Sequence, residues 1–305
     1  MSTSDSFFIN GLKKIKRYFS SLRPVATTKN YYNFFYNRNL NLSDPTYLSE
    51  KLQYLKLYVY PDDRKVILAA DKYGLHQYLK SLGLENYSVP YITTFDKSSQ
   101  IDFDLLPKSF VLKKTNASGY NLIVKNKDNI TKQEVLKITK RWFKNDFGKI
   151  SAEKHYSNST SRIICEPYLE IGDEYRLFMI GGKLAFIQII QWEWDKGEDG
   201  SELKDQSVIN GHSKHLRIHL DPKWNLIWKD EDIDCNIKPK PVFWDELVRT
   251  SSLIAKDFPI VRVDFNEING QPKITELTFT PASGYLDVLK QNPDLDLKLG
   301  GLLKF

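Results

Sequence analysis

From Ser49 to Tyr60 and again from Asp71 to Leu82 the apolar positions recur at helical spacing, which predicts two helices, the second closed by Gly83 and Pro90. VPYITTF then reads as a short strand. LPKSFVLKKTNASGYNLIVKNK follows as strand, small-residue turn and strand, and ITKQEVLKITKRWFKNDF returns to helical spacing behind a Thr131 cap. With the apolar run RIICEPYL, residues 90 to 165 predict a small α+β subdomain. Beyond it, DEYRLFMIGGKLAFIQIIQ predicts a hairpin turning at Gly181-Gly182, and residues 192 to 213 a polar, mobile loop. A strand around LRIHLD, a helix from Asp245 to Asp257, a second hairpin over VRVDFNEINGQPKITELTFTP and a Leu-rich C-terminal segment complete the chain. Residues 24 to 48, with Pro24 and Pro45, predict an irregular or short-helical connection. The class is α+β, with a sheet-dominated second half.

Composition narrows the picture without changing it. The chain has 305 residues with 41% hydrophobic and 13% aromatic content, enough for a large core in one to three domains. Its 44 basic and 38 acidic residues leave a net charge of +6, which suits an anionic ligand such as a nucleotide or charged glycan and does not call for nucleic acid. Cys165 and Cys235 form no CxxC pattern, so neither a disulfide framework nor a thiolate zinc site is expected. No apolar run approaches the roughly 20 residues that span a bilayer, and the N-terminus lacks a secretory signal's apolar core, so a cytoplasmic protein is expected. Within FFINGLKKIKRYFSSL, residues 7–22, the residues Phe8, Leu12, Ile15, Phe19 and Leu22 share one helical stripe while Lys13, Lys14, Lys16 and Arg17 lie off it. This basic amphipathic helix has two readings, docked on its own domain or lying on an anionic membrane at the inner face.

Three places carry candidate chemistry. Lys113 ends the FVLK strand beside a small-residue turn holding Ser118 and Gly119, an arrangement that suits phosphate, although a strand lysine also suits a solvated edge. It is not a GxxxxGK[ST] loop. CEPYLEIGDEY sets Glu166 and Glu174 on either side of a Pro-containing connection, which is either an ordinary linker or a source of carboxylates and backbone groups for a base and a ribose. Asp264 and Glu276 lie in the second hairpin: two carboxylates on paired strands resist joint burial unless a cation neutralises them, and oxygen-only ligation favours Mg²⁺ over zinc. Arg217 adds a cation able to hold a transferring phosphate. A strict two-residue Asn269-Gly270 loop would set Asp264 opposite Thr275 and Glu276 on the other face. A shared site therefore requires an odd-length loop or one bulge between the acids, and Gly270 and Pro272 are where the sequence offers it.

Asp71-Lys72 opening a helix, Lys113, the EPYLE hinge and the late Asp and Glu resemble an ATP-grasp enzyme, in that fold's order. More narrowly, KLQYLKLY, DKYGLHQYL, LPKSFVLK, EPYL, FPIVRVD, ELTFTPASGY and LDLKLGGLL resemble the TupA-like ATP-grasp proteins of teichuronopeptide and capsular polysaccharide biosynthesis, from about Lys51 onward. The resemblance implies two α+β subdomains clasping ATP after a short N-terminal helical region. On it, residues 1–48 are the amphipathic helix and connection, 49–89 a helical part, 90–165 the lid subdomain and 166–305 the subdomain with the metal site. It implies that Lys72 and Lys113 contact ATP phosphates under the Ser118-Gly119 flap, and that Glu166, Pro167, Tyr168, Leu169 and Glu174 hold adenine and ribose. Arg217 would stabilise the transferring phosphoryl group, while Asp264 and Glu276 would bind Mg²⁺ with Thr278 where many such enzymes have Asn. The turn KTNASGYN also departs from the family's usual TNHGSGGN. The implied activity is ATP-dependent ligation of a uronic-acid carboxylate, on a nucleotide sugar or glycan, to an amino acid or other amine. A glycosyltransferase and a non-catalytic nucleotide-binding assembly protein are the alternatives.

Overall fold

The computed structural model describes residues 22–193, 208–210, 214–230 and 237–304. The basic stripe over residues 7–21, Cys235 and most of the stretch called a mobile loop fall outside these. Of that stretch, Trp192–Glu193 and Val208–Asn210 are strand. The chain forms two compact units, each discontinuous in sequence. The first gathers residues up to Ile67, Asp146–Ser159 and the chain from Phe279 on; the second gathers Leu68–Asn145 and Thr160–Thr278.

In the first unit the connection expected to be irregular or short-helical contains a helix, Pro24–Tyr36, begun by a proline at its first position and ended by a left-handed Asn37. The helix expected from Ser49 to Tyr60 is α-helical only over Leu48–Tyr54 and widens to a π turn over Leu55–Val59, where Tyr60 N–H reaches back to Leu55 O at 2.8 Å. Glu50 secures its start by accepting the amides of Asn41, Thr46 and Tyr47. Asp146–Ser159 supplies two short helices, Phe147–Ser151 and Lys154–Ser157, too brief to show a periodicity. The Leu-rich C-terminal segment is helical over Asp287–Gln291 and Pro293–Gly300. Gly300 lies so close to the start of the Leu48 helix that a Cβ there would sit 2.0 Å from Thr46 O.

The second unit holds two antiparallel sheets. β1 (Thr93–Phe95), shorter than the VPYITTF run, joins β2 (Phe110–Lys114), β3 (Asn121–Val124), β4 (Ile163–Pro167) and, at the far edge, β7 (Val208–Asn210), in the order β1-β4-β2-β3-β7. Phe110, Leu112, Leu122, Val124, Ile163 and Cys165 close its core with Val135 and Trp142 of the helix Lys132–Lys144, whose Thr131 and Glu134 form a reciprocal cap. The other sheet contains β5 (Glu174–Ile180), β6 (Lys183–Glu193), β8 (Lys214–Leu220), β9 (Leu226–Lys229), β10 (Ile260–Ile268) and β11 (Gln271–Thr278), in the order β11-β10-β5-β6-β8-β9. The β5–β6 hairpin turns on Gly181 and Gly182, both with positive φ, as its sequence requires.

The alternation along these strands sorts the six-stranded sheet into two faces. Leu277, Val263, Leu177, Ile187 and Leu220 form one continuous cross-strand row, and Ile274, Phe265, Tyr175, Ile189 and Ile218 another, all buried. The opposite face carries Glu276, Asp264, Arg176, Gln188 and His219 in a row. A face this polar inside a folded unit is costly unless its charges are matched.

Candidate functional site

The β10–β11 hairpin turns through a plain two-residue loop, with Ile268 opposite Gln271 and both Asn269 and Gly270 left-handed. The odd-length loop is therefore absent, and the bulge lies not at Gly270 or Pro272 but farther in. Phe265 pairs with Ile274 and Asp264 with Glu276, so Thr275 is the extra residue. Its hydroxyl donates to the Asp264 carbonyl at 3.3 Å and to Asn266 Oδ1 at 2.9 Å. This one residue of slippage turns Glu276 to the face of Asp264, and the two carboxylates stand directly opposite each other.

Around them the cations are close. Arg262, two residues before Asp264 and hence on the same face, donates through Nε and Nη2 to both Asp264 oxygens at 2.7 and 2.6 Å, and through Nη2 to the Thr278 hydroxyl at 3.0 Å. Arg176 pairs with Glu174 at 2.6 Å and lies 4.0 Å from Asp264. Lys72 reaches Glu276 at 3.3 Å and donates to Ala117 O at 2.8 Å, which ties the flap turn to the acid pair. Lys72 is placed by its helix, Lys72–Ser81, whose cap Asp71 accepts the amides of Tyr73 and Gly74. A Cβ on Gly74 would meet Leu68 O at 2.2 Å, so only glycine permits that close approach. Burial pushes Asp264 above the usual carboxylate range and outweighs Arg262. Burial also pulls Glu276 upward, but Lys72, then Arg262 and Arg176, leave it below.

A second pair belongs to the five-stranded sheet. Lys113 Nζ lies 2.6 Å from Glu166 Oε2, diagonal cross-strand neighbours two residues out of register on β2 and β4. The adjacent Lys114 points the other way, buried, and donates to Trp142 O at 2.9 Å and to Asn145 O at the end of the helix. Ser118 and Gly119 form the exposed tip of the turn, Gly119 with φ 77°. Pro167 closes β4, and Tyr168 faces the Lys125 ammonium. Leu169 lines a cavity of about 760 Å³ together with His76, Tyr91, Ile268 and Lys273. Ile268 and Lys273 share the face of Asp264 nearer the hairpin tip, so the cavity continues that face.

Arg217 stands farther along the six-stranded sheet, on β8. It is on the same face, but Asp230 binds its guanidinium at 3.1 and 2.8 Å and its backbone amide at 2.7 Å. The arginines beside the acids are Arg262 and Arg176, which the motif order passed over. Period-two spacing from Asp264 and Glu174 is the signal that finds them. Gln188 and His219 were missed as well. Gln188 Oε1 accepts from Arg176 at 3.2 Å, and its amide nitrogen lies 2.8 Å from His219 Nε2, so the amide donates and neutral His219 carries its proton on Nδ1. Burial first, then Arg217, lowers His219 to about 3.

The site is thus a sheet face on which Arg176 and Arg262, with Lys72 reaching it from its helix, balance Glu174, Asp264 and Glu276. Among the described residues no group of three or more His, Cys, Asp or Glu could hold a metal, so a divalent ion would find two protein carboxylates here and take its other ligands elsewhere. That donor set fits Mg²⁺, which binds one or two carboxylates together with ligand phosphates and water.

The family model for TupA-like ATP-grasp proteins matches residues 50–192 and 206–304, and the chain belongs to that family. A comparison with curated proteins gave no match. Among solved structures, the D-alanine–D-alanine ligase of Helicobacter pylori is similar at 16% identity over 84% of this chain and 69% of that one, with a TM-score of 0.42. The Bacillus anthracis enzyme complexed with ATP is similar at 18% over 77% and 68%, with a TM-score of 0.41. The VanG D-Ala:D-Ser ligase of Enterococcus faecalis is similar at 17% over 78% and 62%, with a TM-score of 0.43. Among the described residues no helix is long and apolar enough to cross a membrane.

Proposed function

We propose that the protein is an ATP-dependent carboxylate–amine ligase that joins a uronic-acid carboxylate of a surface glycan, or of its nucleotide-sugar precursor, to an amino acid or other amine. The observation that carries the reading is the opposed pair Asp264 and Glu276, ringed by Lys72, Arg262 and Arg176 on one sheet face. Because the charges balance, a triphosphate alone would meet repulsion from the acids and a dication alone repulsion from the bases. Bound together they would relieve both: Lys72, Arg262 and Arg176 would hold phosphate oxygens while Asp264 and Glu276 would hold the metal.

Lys72 and Lys113 would hold phosphates, Glu166, Glu174 and the Pro167–Leu169 segment the nucleoside, and Asp264 and Glu276 the Mg²⁺, with Thr278 beside them. Arg262, rather than Arg217, is the arginine best situated for the transferring phosphoryl group. Bound magnesium would supply charge neutralisation on the phosphates. The γ-phosphoryl passes from ATP to a carboxylate oxygen, releasing ADP; the amine nitrogen then attacks the acyl carbon, phosphate departs and the nitrogen loses a proton. No protein nucleophile is needed.

Mass spectrometry with ATP, Mg²⁺, a panel of amino acids and UDP-uronates tests the reading. ADP and phosphate should appear only with both a uronate and an amine, and the product mass should equal their sum less water. Release of UDP with the carboxylate intact would establish a glycosyltransferase instead, and nucleotide binding without turnover an assembly protein. The basic stripe over residues 7–22 supports peripheral contact with an anionic membrane, which salt-dependent vesicle sedimentation tests.

A further inference from the structure

The first unit contains a cavity of about 310 Å³ walled by the rings of Tyr31, Phe35 and Tyr285 and by Thr27, Ser151 and Ser283. Tyr31 and Tyr285 meet edge to face at 4.5 Å, and Phe35 meets Tyr285 at 5.7 Å, so the rings turn different faces and edges toward the space. Lys56 also belongs to the wall: its ammonium donates to Ser283 O at 3.0 Å and lies 5.1 Å from the Tyr285 ring centroid. Its charge is met from within the unit by Glu153, a fully buried carboxylate that also accepts from the Thr280 hydroxyl.

Two independent backbone features converge on this cavity. Among the described residues six non-glycine positions have positive φ, and three of them, Ala152, Ala282 and Ser283, line it. Lys56, moreover, lies in the π turn that ends the Leu48 helix. Left-handed alanines and π turns persist where the surrounding structure holds them for a purpose, and they gather at ligand sites.

We propose that this cavity binds a single pyranose ring of a glycan. A sugar ring has C–H faces that pack on aromatic rings and hydroxyls that need donors and acceptors at its rim, and the walls supply both. The internal match of Lys56 with Glu153 leaves no net charge to select an isolated carboxylate or ammonium. The volume is at the low end for small-molecule sites, sufficient for one ring and too small for a nucleotide sugar. Thr27, Tyr31 and Phe35 precede the residues that match the family model, so family membership does not bring this site with it. Nor does the inference depend on ligation, because the binding is read without ATP.

Saturation-transfer NMR on the full chain, with a panel of methyl glycosides of common hexoses, hexosamines and uronic acids and with L-glutamate as comparison, tests it. At least one glycoside should receive saturation while glutamate does not. Thr27→Phe, which fills the cavity, and Tyr31→Ser, which strips one wall at a half-buried position, should each weaken that binding at least tenfold at an unchanged unfolding midpoint. No transfer to any glycoside, equal transfer in a folded variant, or displacement of the glycoside by glutamate would overturn the proposal. If glycosides bind but no carboxylate is ever activated, the ligase reading fails and this site stands.

Discussion

Two neighbouring lysines show how little a residue type says by itself. Lys113 and Lys114 follow each other on β2, so the pleat sends them to opposite faces. One meets Glu166 in the candidate site; the other is buried against the end of the helix Lys132–Lys144. We expect Lys113→Ala to abolish turnover while the chain still folds, at a cost of about 1–2 kcal/mol for leaving the buried Glu166 carboxylate without its partner. Lys114→Ala should cost about 2 kcal/mol in urea denaturation, because it removes a buried ammonium from two helix-end carbonyls, of which Trp142 O keeps the Asn145 amide and Asn145 O loses its donor. Equal effects of the two substitutions on both readouts would contradict the placement. In the first unit Arg38 binds the buried Asp296 at 2.7 Å and the hydroxyls of Tyr32 and Ser49. Arg38→Met leaves that buried carboxylate without a counter-charge, held only by the Ser49 amide and hydroxyl, and should destabilise by about 3 kcal/mol, whereas a change below about 1 kcal/mol would mean those two bonds suffice.

At the level of elements, the Thr275 bulge is the device that makes the candidate site. Deleting Thr275 restores an unbroken ladder from the same two-residue loop and still leaves Glu opposite Asp264. Mg²⁺-dependent nucleotide binding, followed by calorimetry, should therefore survive within about tenfold. Inserting one alanine after Ile274 calls for a second bulge and should abolish it; retained binding there would show that the facing carboxylates are dispensable. The parity of the hairpin announced that some irregularity had to exist, but not its address, since Gly270 and Pro272 advertise one and Thr275 does not. Local patterns did place the helix opening at Asp71-Lys72, the Thr131 cap and both Gly-containing turns, because each is decided within a few residues. The partner of Arg217 was beyond that kind of reading: Asp230 lies across the β8–β9 pairing, and no local signal announces which carboxylate an arginine on a strand will meet.

At the scale of the molecule, each unit buries one histidine among the described residues. His155 in the first and His219 in the second are each lowered to about 3 by burial, from an ordinary 6.5. Between those values the unfolded chain binds protons that the folded one refuses, so stability falls as pH drops from about 6.5 toward 3. The loss is about 1 kcal/mol per histidine per pH unit. Glu153, Asp264 and Asp296, raised by burial, accept protons earlier when folded and oppose the loss at its acid end. Denaturant titrations at pH 7.5 and 5.5 should show the decline, and His155→Gln and His219→Gln should each flatten it. A flat wild-type profile would count against both burials. The division into units was itself illegible in blocks of periodicity, because a unit closed by three distant stretches leaves no compositional seam.

That discontinuity bears on how the chain is made. Tyr32, Leu48, Leu52 and Tyr60 are buried in a unit that also requires Phe279, Val288 and Leu299. On a ribosome the first of these emerge long before the last exist, so an apolar face waits uncovered through most of translation while the second unit can already condense. Arrest of synthesis ahead of Phe279 should thus yield nascent chains in which Thr93–Phe95 and its sheet resist protease and Leu48–Tyr54 does not, and holdase chaperones should engage the early segment until the final helices arrive.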